Sequence, residues 1–233
     1  MKGALAGYVQ GGLRGPPCET WSQARFAVAD IHGRQPRPLR SLENLWGLPS
    51  LSLREMQQVD AGNDLPLFFL DLLVCLACSS ESSGMGLIEH PAEPKGPSKP
   101  SIWRLPIIRL LAQLPGFTLL DSAQGLLGAK SSKPTRLLAL NLDTLPQSIH
   151  AHRICPDLPK TVAIGKAKSG HWATTGPKEH PPALNHALGE CLAHHLMQST
   201  VDASATLDDN FFGQVQAHAR ISFWEPQWPR LPK

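Results

Sequence analysis

Short apolar runs alternate with helical stretches along this chain, and that alternation limits most strongly what it can fold into. Tyr8 to Leu13 reads as a buried strand, weakened by Gly11 and Gly12. Ser52 to Ala61 reads as a helix, with Ser52 as its cap and Glu55 at the capping-box distance. Gly62-Asn63-Asp64 is expected to interrupt or kink it, and Leu65 to Cys78 follows as a mostly apolar helix buried on nearly all sides. Gly86 to Glu89 reads as a strand ending in a carboxylate. Ile102 to Leu114 reads as an amphipathic helix with Pro106 near its first turn, and Gly116 to Asp121 as another strand ending in an acid. Thr135 to Leu142 is a further strand. Strand, helix, strand, helix, strand is the signature of an α/β protein with a parallel sheet and right-handed crossovers. Ligands of open α/β sheets bind beyond the carboxyl ends of the strands. Cys18, Glu89 and Gln124 lie in loops or strand ends that such a sheet brings toward one rim.

Composition narrows the class. The chain has 233 residues, 42% hydrophobic and 18% charged, which suits one domain with a sizeable core. Its 22 prolines and 19 glycines point to many loops. The net charge of +3 permits a phosphate-bearing partner without demanding one. Five cysteines with no small-scaffold spacing favour a reduced compartment. The run from Met1 to Gly7 is too short for a signal peptide, and Leu65 to Cys78 is too short for a membrane span and carries Asp71. A soluble intracellular protein, nuclear or cytoplasmic, with no membrane partner is the expectation. Residues after Ser199 turn polar and end in the aromatic-rich Phe223 to Pro229, so 196–233 reads as a tail whose order the sequence does not fix.

The thiol loop carries the first chemistry. In Gly15-Pro16-Pro17-Cys18-Glu19-Thr20-Trp21-Ser22 two prolines hold the chain on a narrow path, and Gly15 allows a sharp turn and a close approach to the backbone. A cysteine held this way is able to face a pocket, although such a loop is also an ordinary tight turn. Ser22 to Asp30 reads as a short helix. Arg25, Arg34, Arg37 and Arg40 then form a solvated basic loop or a phosphate-contacting rim beside the thiol. Cys75 and Cys78 sit mid-helix among leucines and read as core packing. His150, His152 and Cys155 have metal-like spacing, with His171 and His180 further on, but no supporting second cluster, so no metal is assigned. Pro181 and Pro182 open a last helix that runs to about Met197.

In order and spacing these stretches resemble the DNA cytosine-5 methyltransferase family over about residues 8 to 195. Gly15-Pro16-Pro17-Cys18 resembles the nucleophile loop. Glu89 with His90-Pro91 resembles the catalytic Glu-Asn-Val motif, and Gln124-Gly125 through Arg136 the Gln-x-Arg-x-Arg element. Lys178 to Leu188 looks like the element that returns to complete the cofactor site. The Glu-His-Pro and Lys-Pro-Thr variants look like a divergent branch found in large unicellular-eukaryote genomes. The resemblance implies a partial doubly wound, Rossmann-like methyltransferase sheet in residues 1–195, lacking its N-terminal strands. It implies S-adenosylmethionine as methyl donor and DNA, with RNA as the alternative, as partner. Cys18 would add to carbon 6 of cytosine, Glu89 would supply a proton at ring nitrogen 3, and Arg136 would position. Pro17, Ser22, Gln124 and Lys133 would meet the substrate, and Pro16 and Pro182 the donor. The target base would have to leave the duplex stack.

The chain also departs from that pattern. The chain reaches Gly15 after 14 residues, so the glycine-rich strand-turn-helix and two further strands that carry most donor contacts in that family are expected to be lacking. Ser132 and Pro134 stand where the later element would have Gln and Arg, with Lys133 the nearest cation, and His90 replaces Asn beside the glutamate. The stretch from the last strand to Pro181 is short for a full target-recognition domain. An α/β sheet without its first strands exposes an edge, so marginal stability, or a partner supplying the missing strands, is expected. The alternative function is a non-catalytic nucleic-acid-binding or regulatory remnant of a mobile element, working through Arg25 to Arg40 and Lys130 to Arg136. A third reading is an α/β domain whose cysteine loop is structural.

Overall fold

The computed structural model describes residues 9–26, 37–79, 84–96, 99–159 and 180–199. Tyr8, Arg34, His171, Lys178, the later part of the Ser22 to Asp30 helix and the 200–233 part of the tail lie outside them.

Four strands form one sheet: β1 (Gly11–Arg14), β2 (Met85–Pro91), β3 (Phe117–Ala123) and β4 (Pro134–Leu140), in the order β1-β2-β4-β3. β1 and β2 are parallel, with Gly11 opposite Met85, and are joined across the sheet face by helix α1 (Leu53–Ala77). β4 is antiparallel to both of its neighbours, so the sheet is mixed and the expectation of a parallel sheet is corrected. The reason lies in the connection. Parallel neighbours need a long crossover, and the segment between β3 and β4 holds only the 3₁₀ turn Gln124–Leu127. The chain therefore doubles back. β1, β2 and β3 still run the same way, and the Cys18 loop, Glu89 and Gln124 remain on one side of the sheet.

Alternation along β2 and β4 divides the core into two layers. Ile88, Leu138 and Leu140 face one cluster with Phe69, Leu70, Leu73 and Leu76 of α1 and with Ile107, Ile108 and Leu111 of helix α2 (Pro106–Leu111). Met85, Leu87, Leu137 and Ala139 face the other, with Leu145 and Ile149 of helix α3 (Leu145–Ala151) and Leu184, Ala187 and Cys191 of helix α4 (Pro182–Ser199). Helices thus cover both faces, as an α/β protein requires. Gly86 lets α1 approach the sheet, because a β-carbon there would overlap the Leu73 side chain.

Helix α1 begins as expected: Ser52 accepts from the Glu55 amide, and the Glu55 carboxylate takes the Ser52 amide at 2.9 Å. It does not break at Gly62-Asn63-Asp64 but runs on through Pro66. Proline removes one N–H from the helix and leaves the carbonyl four residues back without its donor. That carbonyl is Gly62 O, and the buried Trp21 indole N–H donates to it at 2.8 Å. A tertiary contact thus replaces the missing helical bond. The second half of α1 is not buried all round, since Phe68 is exposed. The helix expected over Ile102 to Leu114 divides into a 3₁₀ turn, Ile102–Arg104, and α2. Leu105 is extended at ψ 132 because Pro106 disfavours helical backbone before it.

Candidate functional site

The thiol loop leaves β1 at Gly15 and is pinned from its far end. Pro16 is buried, Pro17 and Cys18 are half-buried, and Thr20 and Trp21 are buried. Cys18 O accepts the Trp21 amide at 3.0 Å, closing a turn that starts at the cysteine. Beneath it lies the buried Arg40, whose guanidinium stacks 3.7 Å from the Trp21 ring. Arg40 donates to Thr20 Oγ1 from Nε and Nη2, to Leu45 O and Asn63 Oδ1 from Nη1, and to Val59 O from Nη2. These contacts use all five of its donors, and every acceptor is a neutral oxygen. Burial pushes the guanidinium down to about 9. Gly62 completes the frame, since a β-carbon there would stand 2.5 Å from Thr20 Oγ1.

On the other side of Gly15 lies a polar rim. Glu89 is buried, one residue past the last parallel pair of β1 with β2. Gln124, at the end of β3, donates from Nε2 to Glu89 Oε1 at 3.0 Å and to Thr135 Oγ1 at 3.2 Å. The same nitrogen faces His180 Nδ1 at 3.3 Å. Thr135 donates to Lys133 O at 3.1 Å, and Lys133 O also accepts the Gln124 amide at 3.2 Å. Lys133 holds a positive φ of 34° to make this return, a conformation that costs a non-glycine residue about 1–3 kcal/mol. A β-carbon on Gly15 would lie 3.3 Å from Glu89 Oε2 and 3.6 Å from His180 Nε2. The loop bearing the thiol therefore runs directly beside the carboxylate and the imidazole.

Electrostatics set the resting state. Burial, then the carboxylates of Glu19 and Glu89, push the Cys18 thiol up, and Lys133 only partly opposes them. Cys18 thus rests as a thiol. Burial pushes His180 down and Lys133 adds to that, while Glu89 pulls it up.

Of the residues singled out from sequence, the structure joins Glu89, Gln124 and Lys133 by hydrogen bonds and brings Cys18 within the fields of Glu89 and Lys133, while Pro16 and Pro17 lie beside Cys18 on its loop. It does not bring Arg136 to them. Arg136 pairs in register with His90, and both point to the opposite face of the sheet from Glu89. There it makes a bidentate pair with Asp121 at 2.6 and 2.7 Å and a bond to Glu93 at 2.9 Å. Ser22 accepts the Arg25 amide through its carbonyl, and Pro182 is exposed at the first turn of α4. The basic loop is engaged with its own chain. Arg25 reaches Glu19 O, Arg37 O and Gln58, and Arg37 reaches Ser50 O and Glu55. An open cleft of about 350 Å³ lies beyond the thiol loop, lined by Pro17, Glu19, Thr20, Arg25, Gln58, Ala61 and Gly62, and not by Glu89. Cys75 and Cys78 are half-buried on or just after α1, and among the described residues no group of His, Cys, Asp or Glu is placed to hold a metal. Among those residues no helix is long and apolar enough to cross a membrane.

Thr135 carries no signal in the sequence, while Trp21 is legible only as part of the thiol loop, Arg40 only as one cation of the basic loop and His180 only as one of several scattered histidines. Asn63 was legible only as a helix breaker, yet its side chain bonds Arg40 and the Trp46 carbonyl, at 2.6 and 3.0 Å. Comparison of the chain with protein-family models, with curated proteins and with solved structures finds no match.

Proposed function

We propose that this chain is a cytosine-5 methyltransferase-like domain whose working part is the thiol and carboxyl rim around Gly15. The observation that carries the reading is the passage of the Cys18 loop beside Glu89, with Gln124 bonded to that same carboxylate at 3.0 Å. Three residues distant in sequence share one side of the sheet because β1, β2 and β3 run the same way.

The chemistry follows from those groups. The Cys18 thiol loses its proton and its sulfur adds to carbon 6 of a cytosine ring. An S–C bond forms, the carbon 5–carbon 6 double bond opens toward ring nitrogen 3, and a donor at that nitrogen offsets the developing charge. Carbon 5 becomes nucleophilic and takes a proton or another electrophile. Elimination of sulfur and of a carbon 5 hydrogen restores the ring. The raised thiol slows the first step at neutral pH, so the step needs an acceptor for the thiol proton. The residues assigned to S-adenosylmethionine do not fit that group: Pro16 is buried, Pro182 is exposed, and neither lines the cleft.

The test needs no methyl donor. DNA carrying tritium on carbon 5 of cytosine is incubated with the chain, single-stranded so that the base is accessible. Sulfur addition followed by protonation and elimination releases tritium to water. Release that disappears in Cys18→Ala is the expected result; no release, or release that survives the substitution, sinks the reading.

A further inference from the structure

We propose that His180 is the specificity-determining residue of this rim, presenting an Nε2–H donor beside the Glu89 acceptor so that the pair reads an amidine edge. The proposal rests on the reading of the rim as a base site. The orientation of the Gln124 amide decides it. Thr135 has one hydroxyl hydrogen and spends it on Lys133 O, so toward Gln124 it acts only as acceptor. Glu89 Oε1 is likewise an acceptor. Both fix the Gln124 nitrogen, not its oxygen, toward the rim. The oxygen is buried without a partner, the cost of that orientation. His180 Nδ1 thus faces a donor-only nitrogen at 3.3 Å, and a proton on Nδ1 would have nothing to bond. The ring keeps its lone pair at Nδ1 and its proton at Nε2.

Nε2 is the atom turned toward Gly15, where Glu89 Oε2 also stands; the two lie 3.6 and 3.3 Å from the position of the absent β-carbon. Gly15 is exposed, His180 is half-buried, and no β-carbon stands between Nε2 and the carboxylate, so a ligand approaches the pair from the Gly15 side. A donor beside an acceptor complements a ring-nitrogen acceptor beside an exocyclic amino donor. Cytosine offers that edge at nitrogen 3 and the 4-amino group, and thymine offers the reverse. With His180 supplying the donor, Glu89 binds the amino group as a carboxylate. The charged groups facing His180 are Glu89 from β2, which favours a second proton on the ring, and Lys133 from the segment before β4, which opposes it.

The test is nuclear magnetic resonance of the full chain with ¹⁵N-labelled histidine. At pH 7 the His180 nitrogens should show the Nε2–H tautomer in the unliganded protein. Titration with 2′-deoxycytidine 5′-phosphate should shift them, with thymidine 5′-phosphate binding about tenfold more weakly. In Gln124→Met, which removes the facing N–H groups, His180 should protonate at higher pH. In His180→Phe, followed through Gly15 and Glu89 backbone signals, the two nucleotides should bind within about twofold of each other. An Nδ1–H tautomer, equal binding, or no binding of either nucleotide overturns the proposal. Tritium release is read separately. Cytosine preference without Cys18-dependent release would sink the catalytic reading alone, and release without that preference would sink this one alone.

Discussion

Cys18 is held in place by neighbours that keep it protonated, and this gives the sharpest residue-scale prediction. Its alkylation by iodoacetamide, followed on the Cys18 peptide by mass spectrometry, should rise with pH later than for an ordinary thiol. Glu19→Gln should move the midpoint to lower pH by removing a neighbouring negative charge, and Lys133→Met should move it to higher pH. An unmoved midpoint in both variants would mean that burial alone governs the thiol. Arg40 is the second residue to test. It is a buried cation making five hydrogen bonds to four neutral acceptors, so Arg40→Ala strands Asn63, Thr20 and two carbonyls. A loss of about 3–5 kcal/mol in urea unfolding is expected, the range for breaking a buried charged network. A loss below about 1 kcal/mol would show that water replaces the contacts.

The elements were legible in the sequence where local rules acted alone. The Ser52 cap, the β2 strand and the start of α4 at Pro182 follow from capping, apolar runs and the tolerance of proline in a first turn. They were illegible where a distant side chain overrode a local rule. Gly62-Asn63-Asp64 reads as a break, and the Trp21 indole and the Arg40 guanidinium, bonded to the Gly62 and Val59 carbonyls, support the continuous helix. Arg136 is a site residue by the resemblance to a Gln-x-Arg-x-Arg element alone, which says nothing of the pleat. The register with His90 puts it on the other face, where Asp121, Glu93 and Arg104 form a charged ladder over Trp103. Arg136→Ala should therefore cost about 1 kcal/mol of stability, because Asp121 is largely exposed, and leave Cys18-dependent tritium release unchanged. Loss of release in a folded Arg136→Ala protein would return that residue to the site. The place of His180 in the rim is illegible for a related reason. It precedes the last helix by chain order and meets Glu89 only after α4 packs on the sheet.

At the scale of the whole molecule, one buried side chain couples the fold to pH. His90 is 1% exposed, lies against Trp103 at a ring separation of 6.3 Å, and neither ring nitrogen has a hydrogen-bond partner. Burial, helped by the positive charge of Arg40, pushes it from 6.5 down to about 3. In the unfolded chain it takes up a proton as the pH falls through 6.5, whereas the folded protein binds that proton only near 3. Between those values the unfolded state holds more protons, so unfolding becomes easier as the pH drops. The stabilisation is complete above about pH 6.5 and is lost progressively on the way to 3. Asp121, whose carboxyl is held down by Arg136, acts in the same sense at lower pH, and the raised Asp71 acts against it. The His90 share is isolated by substitution. His90→Leu removes the titrating ring, and with it a buried N–H that has no acceptor, at similar volume. Urea midpoints of the parent chain should fall between pH 6.5 and 4, and those of His90→Leu should fall less. At pH 7 the variant should match or exceed the parent. Parallel curves for the two proteins would mean that His90 gains a partner in solution, through a buried water or a rearranged Trp103, and is not the residue that ties this fold to neutral pH.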